Sequence, residues 1–440
     1  MRLARFAFLV SFGLLGIYYL KIGRYPVYDW AGLLAAVCAY SVLLYKAKIS
    51  PSAWPFLFAA ILLVTGAVLT IPFANQTGRA GLSAALLIYM VIVWVPLGAA
   101  TMRDTRDFRR ALMALSLSMV LTSLYALGQR FLGWPCLAGI DFYGRATGLL
   151  RQPNELGVFC GMVFPYTLCL VASANRKVEK LFWCLVGGIG VAGLVVSGSM
   201  TGTVVLVIGC VVYAFLSRLR TRVWLVGIAL IAIVVGAIVL TGTGAGRGET
   251  TFRRIAALGT SAGRITIYER LEGYRTALNE IKGRPLRGYG YHTYVSGVRN
   301  ALGDEKKTLV HDMYLRAWLD GGLFTLLGIV VVLAYAVQIA IRIRRRVQRF
   351  PELCFLDVYA IAAISSFSGF FVMTLPSPTL YQRSNWFPVV ILLAMTSILR
   401  KFERSGRRIF VAPWWGRHEK VSGACAVNGE DNGSNALRHG

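Results

Sequence analysis

The chain has 440 residues, of which 56% are hydrophobic and only 15% are charged. Soluble globular domains carry about 25% charged residues, so this composition excludes an ordinary soluble protein and indicates repeated membrane crossing. The formal net charge is +27. Because the basic residues stand in clusters between apolar stretches, we attribute much of this charge to orientation in a membrane and not to nucleic-acid binding.

Apolar stretches near the roughly 20 residues that a helix needs to cross the hydrocarbon core recur about twelve times. Spanning segments must satisfy their backbone hydrogen bonds internally, so we predict an all-α fold, a polytopic bundle of about twelve transmembrane helices. The predicted spans are 4–20, 27–45, 54–73, 83–99, 111–132, 156–174, 181–197, 201–216, 223–242, 312–340, 355–374 and 385–399.

This pattern divides the chain into four parts. Residues 1–242 hold spans one to nine, and 243–311 form one large loop with short amphipathic helices. Residues 312–400 hold the last three spans, and 401–440 form a tail that is low in core-forming residues and predicted to be largely disordered.

Basic residues in short loops favour the cytoplasmic side of a membrane. Nearly all of the basic clusters follow even-numbered spans, which predicts that both termini are cytoplasmic and that the large loop lies on the outer face. Lys21 and Arg24, after the first span, are the exception. The clusters are Lys46/Lys48, Arg103/Arg106/Arg109/Arg110, Arg176/Lys177/Lys180, Arg218/Arg220/Arg222, Arg342/Arg344/Arg345/Arg346/Arg349 and Arg400/Lys401/Arg404/Arg407/Arg408.

A first outer segment, between the predicted fifth and sixth spans, carries groups suited to an anion. Asn154 is a candidate helix cap, and Arg145 and Arg151 would then lie just above the positive end of the sixth span. Gly144 and Gly148 would let the backbone approach a phosphate closely. In the alternative interpretation the arginines reach lipid headgroups and Asn154 only starts a helix.

The large loop contains a predicted helix that begins near Arg264 and lies at the membrane surface with an apolar face down. A cation in the first turn is disfavoured by the helix dipole, so Arg264 indicates an anionic ligand. In the competing interpretation the arginines pair with glutamates on a solvated face, which we favour for Arg270 and Arg275. The apolar stripe is Ile265, Tyr268, Leu271, Leu278 and Ile281, and the candidate partners are Glu269, Glu272 and Glu280.

His311 stands directly before the tenth span, with Asp312 beside it. Arg316 lies about one turn into this apolar helix, where a charge is costly and usually functional. An imidazole can take a proton from a hydroxyl near neutral pH, while arginines stabilise a departing phosphate. The alternatives are that His311 is structural and that Arg316 pairs with Asp312, four residues back.

These segments resemble the O-antigen ligase and polymerase superfamily of integral-membrane glycosyltransferases. The resemblance covers nearly the whole chain, although three positions depart from the family pattern: no basic residue follows Ser197, Asp312 stands where Asn is usual, and Asp320 stands where Glu is common. The motifs are Arg145-Ala146-Thr147-Gly148, Pro153-Asn154-Glu155-Leu156-Gly157, Gly263-Arg264, Ala277-Leu278, Pro285-Leu286-Arg287-Gly288-Tyr289-Gly290, His311, Tyr314-Leu315 and Asp320-Gly321-Gly322.

The resemblance implies a GT-C-like, inverting, metal-independent glycosyltransferase without a cofactor, at the periplasmic face of a bacterial inner membrane. It implies transfer of a glycan from a polyprenyl (undecaprenyl) diphosphate donor to a hydroxyl of the lipid A core. The implied catalytic residues are His311 and Arg264. The implied diphosphate-binding residues are Arg145, Arg151, Arg264 and Arg316, supported by Asn154, Asp312 and Tyr314.

Two other functions stay open at this point. An O-antigen or exopolysaccharide polymerase would use the same donor with another glycan as acceptor, and the late position of the single dominant loop favours the ligase slightly. A non-enzymatic transporter of lipid-linked glycans would need charged residues near the middle of its spans. Such residues are nearly missing from 54–73, 181–197 and 223–242.

Overall fold

The computed structural model describes residues 2–22, 25–46, 54–102, 104–137, 139, 144–217, 261–292, 296–299, 305–308, 310–377 and 383–404. The predicted ninth span at 223–242 and nearly all of the predicted tail lie outside these residues. The described part is mainly helical, as predicted, with two short antiparallel strand pairs that the sequence analysis did not predict.

The helices begin and end close to the predicted spans. The first helix ends at Gly13 and not at residue 20, and the helix after His311 continues to Arg349 and not to residue 340. The helices are α1 Arg2–Gly13, α2 Val27–Lys46, α3 Trp54–Leu69, α4 Thr77–Ile88, α5 Val95–Thr101, α6 Thr105–Phe131, α7 Pro153–Ser173, α8 Lys177–Ser197, α9 Met200–Leu216, α10 Ser261–Gly283, α11 Met313–Arg349, α12 Asp357–Met373 and α13 Phe387–Arg404.

Several short elements connect these helices. A π-helical segment, Tyr89–Trp94, joins α4 to α5. Strands β1 Lys21–Ile22 and β2 Tyr25–Pro26 pair after α1, and β3 Ser296–Arg299 pairs with β4 Glu305–Thr308 within the large loop.

Within the described residues, six helical stretches are long and apolar enough to cross a membrane. The chain is therefore a multi-pass membrane protein, while the number of twelve spans stays a prediction. The six are Trp54–Phe73, Thr77–Thr101, Thr105–Phe131, Pro153–Ser173, Lys177–Ser197 and Met313–Arg349, and shorter apolar helices occupy Leu3–Gly13, Val27–Ala39, Met200–Leu216 and Asp357–Met373.

Ion pairs join the helices at one end of the bundle, which we call the basic end. It contains the beginnings of α1, α6, α8 and α12 and the ends of α9 and α11. These six helices therefore have the relative directions that the predicted topology requires. The pairs are Arg5 with Asp107 at 3.1 Å, Arg109 with Glu179, and Arg344 with Asp357.

The opposite end of the bundle, which we call the site end, gathers the two outer segments of the sequence analysis. The Tyr18 amide, after α1, donates to the Leu149 carbonyl at 2.9 Å. The Met313 amide, at the start of α11, donates to the Thr374 carbonyl at 3.0 Å. The segments that precede α7 and α11 therefore lie at the same end of the bundle.

Small residues allow the closest helix contacts, as is common where helices pack within lipid. A Cβ atom on Gly66 in α3 would lie 2.3 Å from Thr325 Oγ1 and 2.5 Å from the Thr325 amide nitrogen in α11. A Cβ atom on Gly202 in α9 would lie 2.4 Å from the Gly157 carbonyl carbon in α7. These contacts fix α11 and α7, which carry the site.

Gly66→Ala is expected to destabilise the protein by about 1 to 3 kcal/mol, because the added methyl group would collide with the α11 backbone. Gly81→Ala in α4 is the matched control, since nothing lies within 4 Å of its added Cβ. That change should be neutral or slightly stabilising. Thermal unfolding of both variants in detergent tests the prediction, and equal midpoints for the two variants would contradict it.

Candidate functional site

The Arg-Ala-Thr-Gly segment ahead of α7 is held by the last turns of α6. Gln129 Oε1 accepts hydrogen bonds from the Thr147 amide at 3.0 Å and the Gly148 amide at 2.9 Å. Gly148 has φ +59°, and a Cβ there would lie 2.5 Å from the Thr122 carbonyl oxygen. Only glycine fits this position without strain. The close approach at Gly148 and the two hydrogen bonds to Gln129 hold the segment against α6.

Arg145 bridges this segment to two helices. Its Nε donates to the Ser197 carbonyl at 2.9 Å, and its Nη2 donates to Asn154 Oδ1 at 2.7 Å. A guanidinium thus lies at the α8–α9 turn, where the sequence itself lacks a basic residue.

The prediction that Asn154 caps the sixth span is wrong. The cap position is Gln152, without a side-chain cap bond, and Pro153 is the first helical residue. Proline suits that position because its missing N–H needs no partner there. Asn154 instead orients Arg145, which still places a guanidinium beside the helix N-terminus.

Arg151 is compensated by a carboxylate. Its Nη2 lies 2.8 Å from Oε1 of Glu155, which is buried, and its guanidinium lies 4.9 Å from the centre of the Tyr18 ring. The Arg151 side chain is 44% exposed. The sequence pattern did not reveal Glu155 as the counter-ion of Arg151, although the spacing of four residues at a helix start is a usable signal.

Helix α10 packs on the beginning of α11 through a small apolar cluster. Ala277, Ile281, Val310 and Leu319 are buried in it. The Tyr274 hydroxyl donates to the His311 carbonyl at 3.4 Å, at the upper limit for a hydrogen bond. This packing fixes His311 between the helix of the large loop and the span that follows.

The predicted helix of the large loop is confirmed, but its apolar stripe is divided. Ile281 is buried against α11, whereas Tyr268, Leu271 and Leu278 remain exposed, and the side chain of Ile265 lies outside the described residues. The position of this helix at a membrane surface stays a prediction.

Arg264 lies in the first turn of α10, as predicted. Its side chain lies outside the described residues, so its contacts stay a prediction. At 1.5 Å per residue, its backbone is about 15 Å along the helix axis from Tyr274. Arg275 pairs with Glu272 at 3.7 Å on the exposed face, which confirms the solvated interpretation for Arg275.

His311 is exposed, and Asp312 caps α11 by accepting a hydrogen bond from the Leu315 amide at 2.7 Å. Although His311 is exposed, the surrounding chain limits its hydration and, with the charge of Arg270, lowers the pKa of the imidazole below 6.5. Tyr314, predicted as a supporting residue, shares a hydrogen bond of 3.1 Å with Thr374 Oγ1. Because its pKa is lowered, the His311 imidazole is mainly neutral at pH 7.

Arg316 and Asp320 form an ion pair that is completely buried within the first two turns of α11. The Arg316 Nε lies 2.7 Å from Asp320 Oδ2, and both side chains are 0% exposed. The alternative that Arg316 pairs with Asp312 is replaced by this pair, because Asp312 is engaged in the helix cap. The sequence motif that contains Asp320 gave no indication of this pairing.

The Gly-Tyr-Gly turn docks onto a kink in α11. Gly322 has φ +68° and ψ −167° within the helix, and a Cβ on Gly288 would lie 2.6 Å from the Gly322 amide nitrogen. The Tyr289 amide donates to the Leu319 carbonyl at 2.9 Å, and the Gly290 amide donates to the Asp320 carbonyl at 3.0 Å. The turn therefore positions the residues that follow it.

His292 follows this turn and was missed by the sequence analysis. Its amide donates to Asp320 Oδ2 at 3.2 Å, and its Nδ1 lies 3.4 Å from the Ser83 hydroxyl. It has φ +59°, which is uncommon outside glycine. A histidine next to a Gly-Tyr-Gly turn in the same loop as His311 is the signal that the sequence offered.

Electrostatics at His292 link the two outer segments. Burial, followed by the charges of Arg316, Arg79 and Arg151, lowers the pKa of His292 to about 4. Arg151 belongs to the first outer segment and Arg316 to the start of α11. Arg316 is joined to this histidine through Asp320, which pairs with Arg316 and accepts the hydrogen bond of the His292 amide.

The thermal midpoint of the wild type is expected to fall more than that of His292→Asn between pH 6.5 and pH 4. The folded-state pKa of His292, about 4, is below its ordinary value of 6.5, so the unfolded chain binds the proton first in this window. Above pH 6.5 His292 is neutral in both the folded and the unfolded protein, so it no longer contributes to the pH dependence of stability. Asparagine tolerates positive φ and keeps the backbone donor to Asp320. If the thermal midpoints of the two proteins change in parallel with pH, the lowered pKa of His292 is refuted.

A comparison with curated proteins gave no match. A family model described as O-antigen ligase matches residues 183–330, a region from within α8 into α11 that includes α10, His292 and His311. The match supports the resemblance predicted from the motifs and an assignment to the O-antigen ligase family over residues 183–330.

Proposed function

We propose that the protein transfers a glycan from a polyprenyl diphosphate, such as undecaprenyl diphosphate, to an acceptor hydroxyl at the site end of the bundle. The observation that carries this proposal is that Arg145 and Arg151, ahead of α7, lie at the same end of a membrane bundle as His292 and His311, beside α11. One guanidinium group can bind two phosphate oxygens at once, and a neutral imidazole can accept a proton.

In this proposal His311 removes the proton from the acceptor hydroxyl. The acceptor oxygen attacks the anomeric carbon, and the bond to the diphosphate breaks, so that the polyprenyl diphosphate leaves with the electron pair and the configuration inverts. The exposure of His311 supports this role, since an acceptor can reach it from outside the bundle. Its lowered pKa keeps it in the basic form at pH 7.

The diphosphate would be bound by arginines on both outer segments. Arg145 lies beside the N-terminus of α7, where the helix dipole adds to its attraction for an anion. Arg264 would bind the diphosphate from the first turn of α10. Arg151 would replace part of its contact with Glu155 by a contact with a phosphate oxygen. Arg316 is completely buried, so we place it behind the site, where with Asp320 it positions His292.

The orientation that we propose places the site end in the periplasm of an inner membrane and both termini in the cytoplasm. The alternation of helix directions and the arginine clusters at the basic end support it. The acceptor that we propose is the lipid A core, which makes the protein a ligase. A polymerase would use the same site with a lipid-linked glycan as acceptor.

Surface-polysaccharide profiles of cells lacking the gene test these alternatives. The cells are complemented with wild type, Arg264→Ala or His311→Ala at matched membrane levels. Full-length chains that stay on the lipid carrier, with loss of capped lipopolysaccharide, support the ligase. Accumulation of single repeat units identifies a polymerase. Full rescue by both variants would sink the catalytic proposal.

Replacement of Arg145 by lysine is expected to lower transfer about tenfold, although the charge is retained. Lysine cannot donate to the Ser197 carbonyl and Asn154 Oδ1 in the fixed fork of a guanidinium. Arg130→Lys, in the last turn of α6, is the control. In vitro transfer with a lipid-linked donor measures both variants, and an unchanged rate for Arg145→Lys would remove this residue from the site.

A further inference from the structure

A cavity of about 1110 Å³ opens at the basic end, far from the candidate site. It lies between the beginnings of α6 and α8 and is bordered by α12 through Tyr359. Four arginines line it, three from α6 and one from the residue before α8. They are Arg106, Arg109, Arg110 and Arg176.

The charge of this cavity is strongly positive. Glu179 is the acidic residue among its lining side chains, and it pairs with Arg109. Arg110 contacts Asp107 only at 3.9 Å and its side chain is 58% exposed. Arg176 is exposed as well. The opening therefore presents several guanidinium donors to a single anion.

Besides the polar Thr105, Ser173 and Asn175, the lining includes apolar side chains, and exposed apolar residues continue from them along the bundle. Met113, Val178 and Phe182 form part of the cavity wall. From there two stripes of exposed hydrophobic side chains run toward the middle of the helices. They are Leu117, Leu121 and Leu124 on α6, and Leu181 and Leu185 on α8.

The length of the α6 stripe fits an acyl chain. Residues 110–124 span roughly 21 Å at 1.5 Å per residue, which exceeds the half-thickness of about 15 Å of a hydrocarbon core. Arg110, Met113, Leu117, Leu121 and Leu124 follow one another at intervals of three or four residues, so they share one helix face. A ligand with an anionic head and a long apolar tail matches both parts of this surface.

We propose that this cavity binds an anionic glycerophospholipid, with the phosphodiester among the arginines and the acyl chains along α6 and α8. Basic pockets between membrane helices are known to take such headgroups. The site is separate from the proposed diphosphate site, because it lies at the opposite end of the bundle. The proposal therefore does not rest on the proposed function.

Lipid titration of the full-length protein in detergent tests this site. Phosphatidylglycerol is titrated by native mass spectrometry into wild type and Arg110→Gln/Arg176→Gln, with phosphatidylcholine as the neutral lipid. Each cation near the lipid contributes about fivefold in affinity, so the double variant should bind phosphatidylglycerol on the order of 30-fold more weakly. Arg110→Lys/Arg176→Lys should retain most of the affinity.

The matched control is Arg349→Gln/Lys401→Gln, which removes the same charge from the last turns of α11 and α13. It should leave phosphatidylglycerol binding unchanged. Equal losses in the two glutamine pairs would reduce the effect to general surface charge and overturn the site. Equal binding of phosphatidylcholine by the wild type, or displacement of phosphatidylglycerol by millimolar inorganic phosphate, would overturn it too.

Discussion

His311→Ala is expected to lower glycan transfer by roughly 100-fold to 10,000-fold, the range of a lost general base. The variant should fold normally, because His311 is exposed and surface substitutions change stability little. Tyr274→Phe is the matched control, since it removes only the hydroxyl that contacts the His311 carbonyl. Single-turnover transfer from a lipid-linked donor measures both. A His311→Ala rate within a few-fold of wild type would exclude a base at this position.

The pH dependence of the same rate distinguishes two roles for His311. Surrounding chain and Arg270 lower the pKa of this imidazole below 6.5. A base acts when unprotonated, so the wild-type rate should be level near pH 7 and fall as pH drops through that lowered pKa. A histidine that binds the diphosphate acts when protonated, so the rate would instead rise in that range. Either inflection should vanish in His311→Gln.

Local sequence patterns predicted the helices and the places where polar groups emerge from them. The helix around Arg264 and the start of α11 after His311 were predicted because hydrophobic spacing and capping residues act over one or two turns. Asp312 caps α11, a role that we did not predict, although aspartate before an apolar run is a common cap. These features depend on neighbours in the sequence.

The missed features depend on contacts between distant segments. Asn154 had the right chemistry for a cap, but Arg145 occupies its side chain, and that contact follows from the docking of the first outer segment on α7 and α8. Arg316 had acidic residues four positions away on both sides, and the sequence does not say which one the packing selects. His292 acquires its environment from α4 and α11 together. Tertiary structure chooses among partners that the sequence leaves equivalent.

Asp320→Ala is expected to destabilise the protein by about 3 to 5 kcal/mol, because it removes the carboxylate that compensates a buried guanidinium. Both partners are 0% exposed and lie 2.7 Å apart. The double variant Arg316→Met/Asp320→Leu should recover most of this stability, since an apolar pair of similar size often replaces a buried ion pair without loss. Unfolding in detergent and the level of folded protein in membranes measure this effect.

The double variant also separates stability from positioning. Leucine at position 320 cannot accept the hydrogen bond from the His292 amide, so the segment after the Gly-Tyr-Gly turn loses one of its attachments to α11. A displacement of about 1 Å in a catalytic centre costs on the order of 100-fold in rate. We therefore expect the double variant to be folded and still at least tenfold slower in transfer, with Lys401→Gln as a wild-type-like control. Recovery of stability and transfer together would show that the buried pair only supports the fold, and that His292 is held in place by the glycine turn and Ser83 alone.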